Sequence, residues 1–327
     1  MVYYTEGSAE KVFTKPELKS ALYEAFEKIG PRKRVLIIPP DITRFHSRAG
    51  EITEIAYNYY GDAVKAIMPA LGTHVPMTEN EIRKMFGTVP LDLFRDHDWR
   101  NDVVTLGEIP SETLEKISEG KVSYSWPVQV NKLLLEGEFD LMLSIGQVVP
   151  HEVIGMANYT KNIFVGTGGQ DGINKSHYLG AAYGMERIMG RADNPVRYIM
   201  DEAYTQFGKD LPIVFIQTVI GTEPSGELAM KGLYISEERI AFEQASDLAL
   251  EVNFTMLDKP LKTVVVYLDP EEFRSTWLGN KSIYRTRMAL ADGGDLIVLA
   301  PGVAAFGEDP EIDKLIRKYG YKGTEKV

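Results

Sequence analysis

Short apolar runs rich in Val, Ile and Leu alternate along the chain with longer segments whose apolar positions recur at helical spacing. The short runs predict strands that are covered on both faces of a sheet. They lie at residues 34–38, 103–106, 140–145, 213–220, 263–268 and 295–299. Strands that alternate with helices are typical of α/β proteins, so the pattern predicts a mostly parallel sheet.

The helical segments carry recognisable ends. Thr14 is a predicted N-cap, with Pro16 in the first turn and Gly30 at the end. Thr78 and Glu81 have the spacing of a capping box. Three further helices are predicted at 237–252, from Asp269-Pro270 to Gly293-Gly294, and from Asp309-Pro310 to Gly320.

A domain boundary is expected where the helix at 237–252 gives way, through Asp258-Lys259-Pro260, to a new strand. We therefore predict a larger N-terminal domain, residues 1–257, with the mostly parallel sheet. A smaller C-terminal α/β domain, residues 258–327, would follow. The active-site cleft is expected between the two domains, because ligand sites often form at domain interfaces.

The charge balance excludes some classes of partner. The 327 residues include 36 basic and 47 acidic side chains, a net charge of −11. No block of Lys and Arg offers the basic face that nucleic acid needs. The first residues, MVYYTEGSAEKVF, lack the basic and apolar regions of a signal peptide, and no apolar run reaches the roughly 20 residues of a membrane span. We expect a cytoplasmic protein without a membrane partner.

Cysteine is absent from the sequence. Disulfides, thiolate zinc sites, iron–sulfur clusters and a Cys nucleophile are therefore excluded. The same absence excludes the paired-cysteine mechanism of cofactor-free racemases.

Polar loops follow the predicted strands at the end where open α/β sheets bind ligands. Asp41, Thr43 and Arg44 follow the strand at 34–38, and His151 follows the strand at 140–145. A further loop carries His74 and leads to the Thr78 helix. These loops are expected to converge on one site.

The five histidines separate into two groups. His46 and His97 stand among charged residues, which predicts solvent exposure. His74, His151 and His177 lie beside Gly or Pro turns or near glycine-rich segments, and as a set they are candidates for function.

Common nucleotide-binding motifs are missing. No G-x-G-x-x-G follows a predicted strand, and no P-loop motif occurs. The glycine-rich stretch at 166–172 has a different spacing. It is either a mobile turn or a loop whose N–H groups approach a phosphate.

Ordered motifs across most of the chain resemble the nickel-dependent lactate racemase family. Asp41, Thr43 and Arg44 are followed by the Gly72-Thr-His74-Val-Pro-Met-Thr-Glu79 segment. Further along come Pro150-His151, Lys161 ten residues after His151, His177 sixteen residues after Lys161, and Trp277-Leu-Gly-Asn-Lys281.

The resemblance implies a nickel-pincer nucleotide, a pyridinium mononucleotide that holds nickel through its own carbon and sulfur atoms. Lys161 matches the lysine that tethers this cofactor as a thioamide, and His177 matches the histidine that completes nickel coordination. His74 and His151 match an acid/base pair that acts on the substrate hydroxyl.

Other positions match the remaining contacts of the family. Asp41, Thr43 and Arg44 fall on a loop that contacts the cofactor, and Arg44 also contacts the substrate. Lys281 falls beside cofactor and substrate carboxylate, and Trp277 falls in the substrate pocket.

Hydride transfer explains these residue types. The C2 hydrogen of a 2-hydroxy acid is too weakly acidic for a side chain to remove as a proton. A hydride acceptor avoids this difficulty, and an imidazole can take and return the hydroxyl proton near neutral pH. We therefore expect an isomerase, a racemase or epimerase of a small 2-hydroxy acid, that depends on upstream cofactor-biosynthesis enzymes.

Departures from the family pattern leave alternatives open. The family has Gly-Gly-Arg before the tethering lysine, where this chain has Asn158-Tyr159-Thr160, and its polar helix residue falls on Leu278. One alternative is a C2 epimerase of a larger sugar acid, an aldonate or uronate. Another is a non-catalytic relative that binds a small acid or nucleotide. A metal hydrolase is the third, and it lacks support from an H-E-x-x-H motif.

Overall fold

The computed structural model describes residues 1–320 and residue 322. The chain forms two compact units, one of residues Met1–Phe254 and one that begins at Thr255. The sequence placed the division between residues 257 and 258.

The described strands are numbered in chain order. They are β1 (Val2–Gly7), β2 (Val35–Ile38), β3 (Val64–Ile67), β4 (Val103–Ile109), β5 (Trp126–Asn131), β6 (Leu141–Gln147), β7 (Pro150–His151), β8 (Gly155–Met156), β9 (Ile213–Thr222), β10 (Leu228–Ser236), β11 (Leu261–Tyr267) and β12 (Leu290–Leu299).

The described α-helices are numbered in the same way. They are α1 (Lys15–Ile29), α2 (Ala49–Tyr60), α3 (Glu79–Phe86), α4 (Ser111–Ile117), α5 (Leu133–Glu136), α6 (Gln170–Tyr183), α7 (Pro195–Ala203), α8 (Arg239–Asn253), α9 (Thr276–Gly279), α10 (Lys281–Thr286) and α11 (Pro310–Tyr319).

Short helices of other types complete the described secondary structure. Four are 3-10 helices, Ile42–Ser47, Gly61–Ala63, Leu91–Leu93 and Met185–Arg187. Two are π-helices, Asn162–Gly166 and Tyr204–Gly208.

A six-stranded sheet forms the centre of the first unit, with strand order β1-β10-β9-β6-β2-β3. Strands β9, β6, β2 and β3 are parallel, whereas β10 and β1 pair antiparallel at one side. The predicted α/β class with a mostly parallel sheet is confirmed. The register places Ile38 beside Ser144 and Gly146 beside Gln217. The carboxyl ends of β2, β6 and β9 therefore lie at one edge of the sheet.

Both faces of this sheet are covered by helices. One face carries Leu36, Met142 and Phe215 and packs in a common core with buried residues of α6, α7 and α8. The opposite face carries Ile37 and Leu143 and packs with residues of α1, α2 and α3. Burial on two faces explains the continuous apolar runs of β2, β6 and β9.

The predicted ends of two helices are confirmed. Thr14 accepts a hydrogen bond from the Glu17 amide, Pro16 lies in the first turn of α1, and Gly30 ends the helix. Thr78 and Glu81 form the capping box of α3.

Other strand expectations need correction. β4 pairs antiparallel with β5 in a separate two-stranded sheet, and most of its residues are partly exposed. The prediction that residues 103–106 are covered on both faces is therefore wrong. Strands β1, β3, β5, β7, β8 and β10 were not predicted at all. Lys231 and Gly232 interrupt the apolar run of β10, where the ladder has an irregularity.

The second unit contains a parallel pair, β11 and β12, with three short helices. The single helix predicted from Asp269 to Gly294 is wrong, because Ser275 starts α9 and the glycines lie within β12. The register jumps from Leu261–Leu290 to Thr263–Asp295, and Gly293 has φ 75° in the intervening bulge. The last helix, capped by Asp309 and ended at Gly320, is confirmed.

No helix in the described part of the chain combines the length and hydropathy needed to cross a lipid bilayer.

Candidate active site

The Asp41 carboxylate organises the loop after β2. Its Oδ1 accepts hydrogen bonds from the Thr43 amide at 3.0 Å and the Thr43 hydroxyl at 2.5 Å. Its Oδ2 lies 2.5 Å from Nδ1 of His74. Asp41 is buried, whereas His74 is partly exposed. The contact therefore joins two loops that are far apart in sequence and leaves the His74 ring accessible.

The charge state of Asp41 follows from its neighbours. Burial alone would raise its pKa, but the charge of His74, the hydrogen bonds from His74 and Thr43, and the charge of Arg44 outweigh burial and lower the pKa to about 2. Asp41 is therefore a carboxylate at neutral pH. A carboxylate can only accept, so Nδ1 of His74 carries the hydrogen.

His151 lies on a short hairpin beyond β6, formed by β7 and β8. Its Nδ1 accepts hydrogen bonds from the amides of Val153 at 3.1 Å and Ile154 at 3.3 Å. Gly155 closes the hairpin with φ 83°, and a Cβ there would lie 2.0 Å from the Arg191 carbonyl oxygen. The hairpin therefore holds the His151 ring at Nδ1 through two backbone donors.

The backbone before Lys161 has an unusual conformation. Asn158 and Tyr159 have positive φ angles of 68° and 56°, which glycine adopts with less strain. This conformation explains why the family resemblance places glycines at these two positions. Both side chains point inward: the Asn158 amide donates to the Gly146 carbonyl, and the Tyr159 ring stacks on Phe242.

A buried arginine forms hydrogen bonds with the same segment. Arg197 is fully buried on α7 and donates to the Thr160 hydroxyl at 2.8 Å and the Met156 carbonyl at 2.6 Å. Asp201 accepts from the Thr160 hydroxyl at 2.5 Å and forms an ion pair with Arg239. The backbone just before the half-buried Lys161 is therefore held by charged groups in the core.

His177 lies on α6, a few residues after the glycine-rich stretch. Its Nδ1 donates to the Ile173 carbonyl at 2.8 Å, so Nε2 keeps a lone pair. Burial lowers the pKa of His177, and the charge of Lys161 lowers it further, whereas hydrogen bonding to Ile173 and the charge of Glu152 act in the opposite direction. A neutral imidazole with its other nitrogen held by a carbonyl is the usual state of a metal-ligating histidine.

Hydrogen bonds connect these parts at one edge of the sheet. The Gly72 amide, in the loop of His74, donates to the Gly166 carbonyl at 2.9 Å, in the segment after Lys161. The side-chain amide of Asn162 donates to the Ile38 carbonyl and the Ser144 hydroxyl, at the carboxyl ends of β2 and β6. The structure therefore brings the loops of Asp41, His74 and Lys161 together. The electrostatic effect of Lys161 on His177 indicates that α6 also faces this edge.

The remaining predicted residues are placed as follows. Arg44 is partly buried in the 3-10 helix Ile42–Ser47, and its charge acts on Asp41. Trp277 and Lys281 lie in the second unit, Trp277 in α9 with 47% of its surface exposed and Lys281 at the first position of α10. Leu278 is buried beside Trp277. The substrate contacts assigned to Arg44, Trp277 and Lys281 stay predictions.

His97 contradicts its prediction. It is buried rather than exposed, because it donates from Nε2 to the Gly168 carbonyl at 2.9 Å and accepts from the Asn131 amide at 3.0 Å. These bonds hold the glycine-rich stretch at 166–172, where a Cβ on Gly168 would lie 2.1 Å from the Phe164 carbonyl oxygen. The stretch contains a close-packed turn, at 167–169, between the π-helix Asn162–Gly166 and α6. His46 is exposed, as predicted.

Sequence reasoning did not find four residues that lie in or next to the site. Arg197 and Asp201 are four residues apart on α7, a spacing that signals an ion pair but not its burial. No feature of the sequence around Asn131 indicates that it contacts this region. Glu152 follows His151 directly and is buried, which an acidic residue in a loop does not suggest.

The side chains at this site suit a metal that is held mostly by its own cofactor. Among residues 1–320 and 322, no three His, Cys, Asp or Glu side chains come together as a metal site. The implied cofactor holds nickel through its own carbon and sulfur atoms, so one imidazole suffices. His177 offers Nε2, and the non-glycine side chains before Lys161 turn into the core. The described residues therefore fit this cofactor.

Comparison with known proteins defines the class. The family model of the lactate racemase N-terminal domain matches residues 6–187, more than half of the chain. The match places the chain in the class of lactate racemase-like α/β proteins. The chain belongs to the lactate racemase family.

Solved structures agree on the fold. A protein from Thermotoga maritima is 26% identical, with a TM-score of 0.87, over 98% of this chain and 78% of that protein. The lactate racemase apoprotein from Thermoanaerobacterium thermosaccharolyticum is 22% identical, with a TM-score of 0.61, over 84% of this chain and 63% of that apoprotein. This chain thus spans less than two thirds of the apoprotein. A comparison with curated proteins gives no match.

Proposed function

We propose that this protein inverts the C2 centre of a 2-hydroxy acid by reversible hydride transfer, as a racemase or epimerase. The observation that carries the proposal is the Asp41–His74 contact, at the same sheet edge as Lys161, in a chain of the lactate racemase family. A buried carboxylate that orients an imidazole is a recurrent arrangement for proton transfer.

Lys161 and His177 would hold the nickel-pincer nucleotide. Lys161 supplies the amine for the thioamide tether, and Nε2 of His177 supplies the imidazole ligand. When bound, this cofactor supplies an acceptor for the C2 hydrogen and its electron pair. Asp41, Thr43 and Arg44 would line its binding loop.

The chain's own groups would move the proton and hold the acid. The hydroxyl proton leaves as the C2 hydrogen leaves, and an imidazole near this edge accepts it and returns it to the ketone oxygen. Arg44 and Lys281 would provide positive charge for the substrate carboxylate, Arg44 through two parallel hydrogen bonds. Trp277 would contact the remainder of the substrate.

The proposal implies particular partners. The substrate is a small 2-hydroxy acid, and the enzymes that make the cofactor must act first. A cytoplasmic site of action is part of the same proposal.

The test begins with cofactor loading. The protein is produced together with the cofactor-making enzymes and examined by peptide mass spectrometry and nickel analysis. We expect modification of Lys161 alone and bound nickel, both lost in Lys161→Arg and kept in the surface control Lys209→Arg. An unmodified Lys161 without nickel would favour a non-catalytic binding protein.

Turnover then defines the substrate. Single enantiomers of lactate and C2 epimers of aldonates and uronates are incubated with the loaded protein, and their chirality is followed. Inversion of any of them supports the proposal, and the most rapidly inverted acid identifies the substrate class. If every acid keeps its configuration, the proposed function is wrong.

A further inference from the structure

A tight turn at residues 167–169 lies between the two residues that are proposed to hold the cofactor. Lys161 directly precedes the π-helix Asn162–Gly166, and the turn follows that helix. His177 lies beyond the turn, on α6 (Gln170–Tyr183). The direction of α6, and therefore the position of the His177 ring relative to the Lys161 amine, depends on the conformation of this turn.

Hydrogen bonds from other segments hold the turn. The Gly168 carbonyl accepts from Nε2 of His97 at 2.9 Å, and the Thr167 carbonyl accepts from the backbone amide of Asn131 at 2.7 Å. Gly169, the N-cap residue of α6, has no side chain with which to cap the helix. The turn therefore depends on one contact from the segment before β4 and one from the end of β5.

His97 also connects these two segments to each other. Its Nδ1 accepts a hydrogen bond from the side-chain amide of Asn131 at 3.0 Å. That amide has a fixed orientation, because its Oδ1 accepts from the backbone N–H of Leu133 at 2.9 Å. A donor faces Nδ1 and a carbonyl faces Nε2, so the His97 ring is neutral and carries its hydrogen on Nε2.

Protonation of His97 would disrupt this arrangement. The second hydrogen would lie on Nδ1 and point at the Asn131 amide, which leaves two buried donors without an acceptor. Burial lowers the pKa of His97, although the hydrogen bond to the turn and the carboxylates of Asp98 and Asp102 act in the opposite direction. Lys132, the charged neighbour of Asn131, pairs with Asp102, and the turn contributes only a backbone carbonyl to the ring. The neutral ring is therefore favoured near neutral pH.

We propose that neutral His97 is a positioning residue for the cofactor, because it fixes the turn that sets His177 relative to Lys161. This assignment rests on the proposed function. His97 acts through the turn and not by contact with the cofactor. Protonation of His97 loosens the turn, so the imidazole of His177 is then held less firmly in place.

The first test uses the apoprotein and needs no cofactor. Backbone hydrogen exchange is measured by NMR at about pH 7.5 for Asn131, which donates to the turn, and Gln170, which donates to the segment of His97. We expect exchange at both positions to be at least about 10-fold faster in His97→Leu, because leucine can neither donate nor accept. His97→Gln should stay near wild type, since its amide can do both. Unchanged exchange in His97→Leu overturns the proposal.

The pH dependence of exchange separates positioning from packing. The exchange rate of Gln170, corrected for its intrinsic dependence on pH, is compared with that of Gly30, whose amide ends α1 on the opposite face of the sheet. Between about pH 7.5 and about pH 5.5, we expect the protection of Gln170 to fall relative to Gly30 in the wild type and to fall less in His97→Gln. An equal fall in both proteins overturns the proposal.

The second test uses the loaded protein and measures nickel rather than turnover. Wild type, His97→Gln and His97→Leu are each produced with the cofactor-making enzymes, and modification of Lys161 is measured by peptide mass spectrometry. The release of nickel to a chelator is then timed. We expect modified Lys161 in all three proteins and release about 10-fold faster in His97→Leu alone, the lower end of the effect of contacts that orient a metal ligand. Equal release from all three overturns the proposal.

The outcomes separate the two proposals. If wild-type Lys161 stays unmodified and nickel is absent, the proposed function is wrong and the cofactor role of His97 is wrong with it. If nickel is bound but no acid is inverted, the proposed function is wrong, and nickel release still decides the role of His97. If an acid is inverted but all three proteins release nickel equally, only the assignment of His97 is wrong. Urea unfolding shows whether His97→Leu is folded, and if it is not, the pH comparison of wild type with His97→Gln decides.

Discussion

The Lys161 segment (residues 156–162) and the His74 region (residues 41–44 and 72–78) lie at one edge of the sheet but are held differently. The Lys161 segment is almost wholly buried, and a buried guanidinium on α7 binds its backbone. The His74 region is partly exposed, and one carboxylate joins its two loops. The difference teaches that the position proposed to tether the cofactor depends on the core, whereas the position proposed to transfer the proton depends on one local contact.

The largest predicted effect comes from the Lys161 segment. Arg197→Met removes the donor to the Met156 carbonyl and the Thr160 hydroxyl, and it leaves Asp201 with less compensating charge. Loss of one partner of a buried charged network costs about 3–5 kcal/mol. Urea unfolding of the apoprotein measures the change.

Arg239→Met is the matched control for that variant. Arg239 also pairs with Asp201, but its side chain is 31% exposed and its other partners lie at the surface. We expect a loss of about 1 kcal/mol or less, in line with exposed ion pairs. Equal losses in the two variants would show that burial of the network does not support the Lys161 segment.

The second prediction concerns the His74 region. The pKa of Asp41 is lowered from 3.8 to about 2, so its ionised form stabilises the fold above pH 3.8. That contribution, about 2 kcal/mol, is lost as the pH falls toward 2. In Asp41→Asn it is absent already at neutral pH. Unfolding free energies measured across this range should converge for the two proteins at low pH, and parallel curves would contradict the proposed pairing.

The sequence predicts structural features that depend on residues close together in the chain. The capping residues Thr14 and Thr78 act within one helical turn, so their positions are visible in the sequence. Asp269-Pro270 has the same appearance, but there the Asp269 carboxylate accepts from the Glu271 amide in a turn and Ser275 starts the helix instead. Cap residues and turn residues share one chemistry, so the sequence did not separate them.

The candidate site shows the same limit. The histidines and Lys161 were found because their order and spacing match a family, but the groups that fix their state come from distant segments. His97 and Gly168 are 71 residues apart, and Arg197 and Asn158 are 39 apart. Charged neighbours predicted an exposed His97, and only the folded chain brings the Asn131 amide and the Gly168 carbonyl to its ring.

The third prediction tests this buried histidine. Burial lowers the pKa of His97, so the unfolded chain takes up a proton below the ordinary value of 6.5 more readily than the folded one. Stability should therefore fall as the pH drops through 6.5. His97→Gln should weaken this fall and cost about 1 kcal/mol near pH 8 from imperfect hydrogen bonds. The loss of stability at low pH that remains in His97→Gln should come from His177, whose pKa is also lowered.

Urea unfolding at about pH 7.5 and about pH 5.5 measures this dependence, since the two conditions bracket the ordinary histidine pKa. His46→Gln, at an exposed histidine, is the control and should keep the wild-type dependence. An unchanged dependence in His97→Gln would mean that His97 is not held neutral by its surroundings.

The smallest predicted effect tests whether backbone strain or side-chain bonding holds the Lys161 segment. Asn158 has φ 68°, its amide donates to the Gly146 carbonyl at 2.8 Å, and its buried Oδ1 has no hydrogen-bond partner among the described residues. Asn158→Gly loses the hydrogen bond but relieves the strain and removes the unpaired oxygen, so stability should change by about 1 kcal/mol or less.

Asn158→Ala separates the two contributions. Alanine also loses the hydrogen bond and the unpaired oxygen, but it keeps the unfavourable positive φ, so it should be less stable than the glycine variant by about 1 kcal/mol. Thermal unfolding of the two variants measures this difference directly. If alanine equals glycine, the left-handed backbone is not what favours glycine here, and the core contacts alone hold the Lys161 segment.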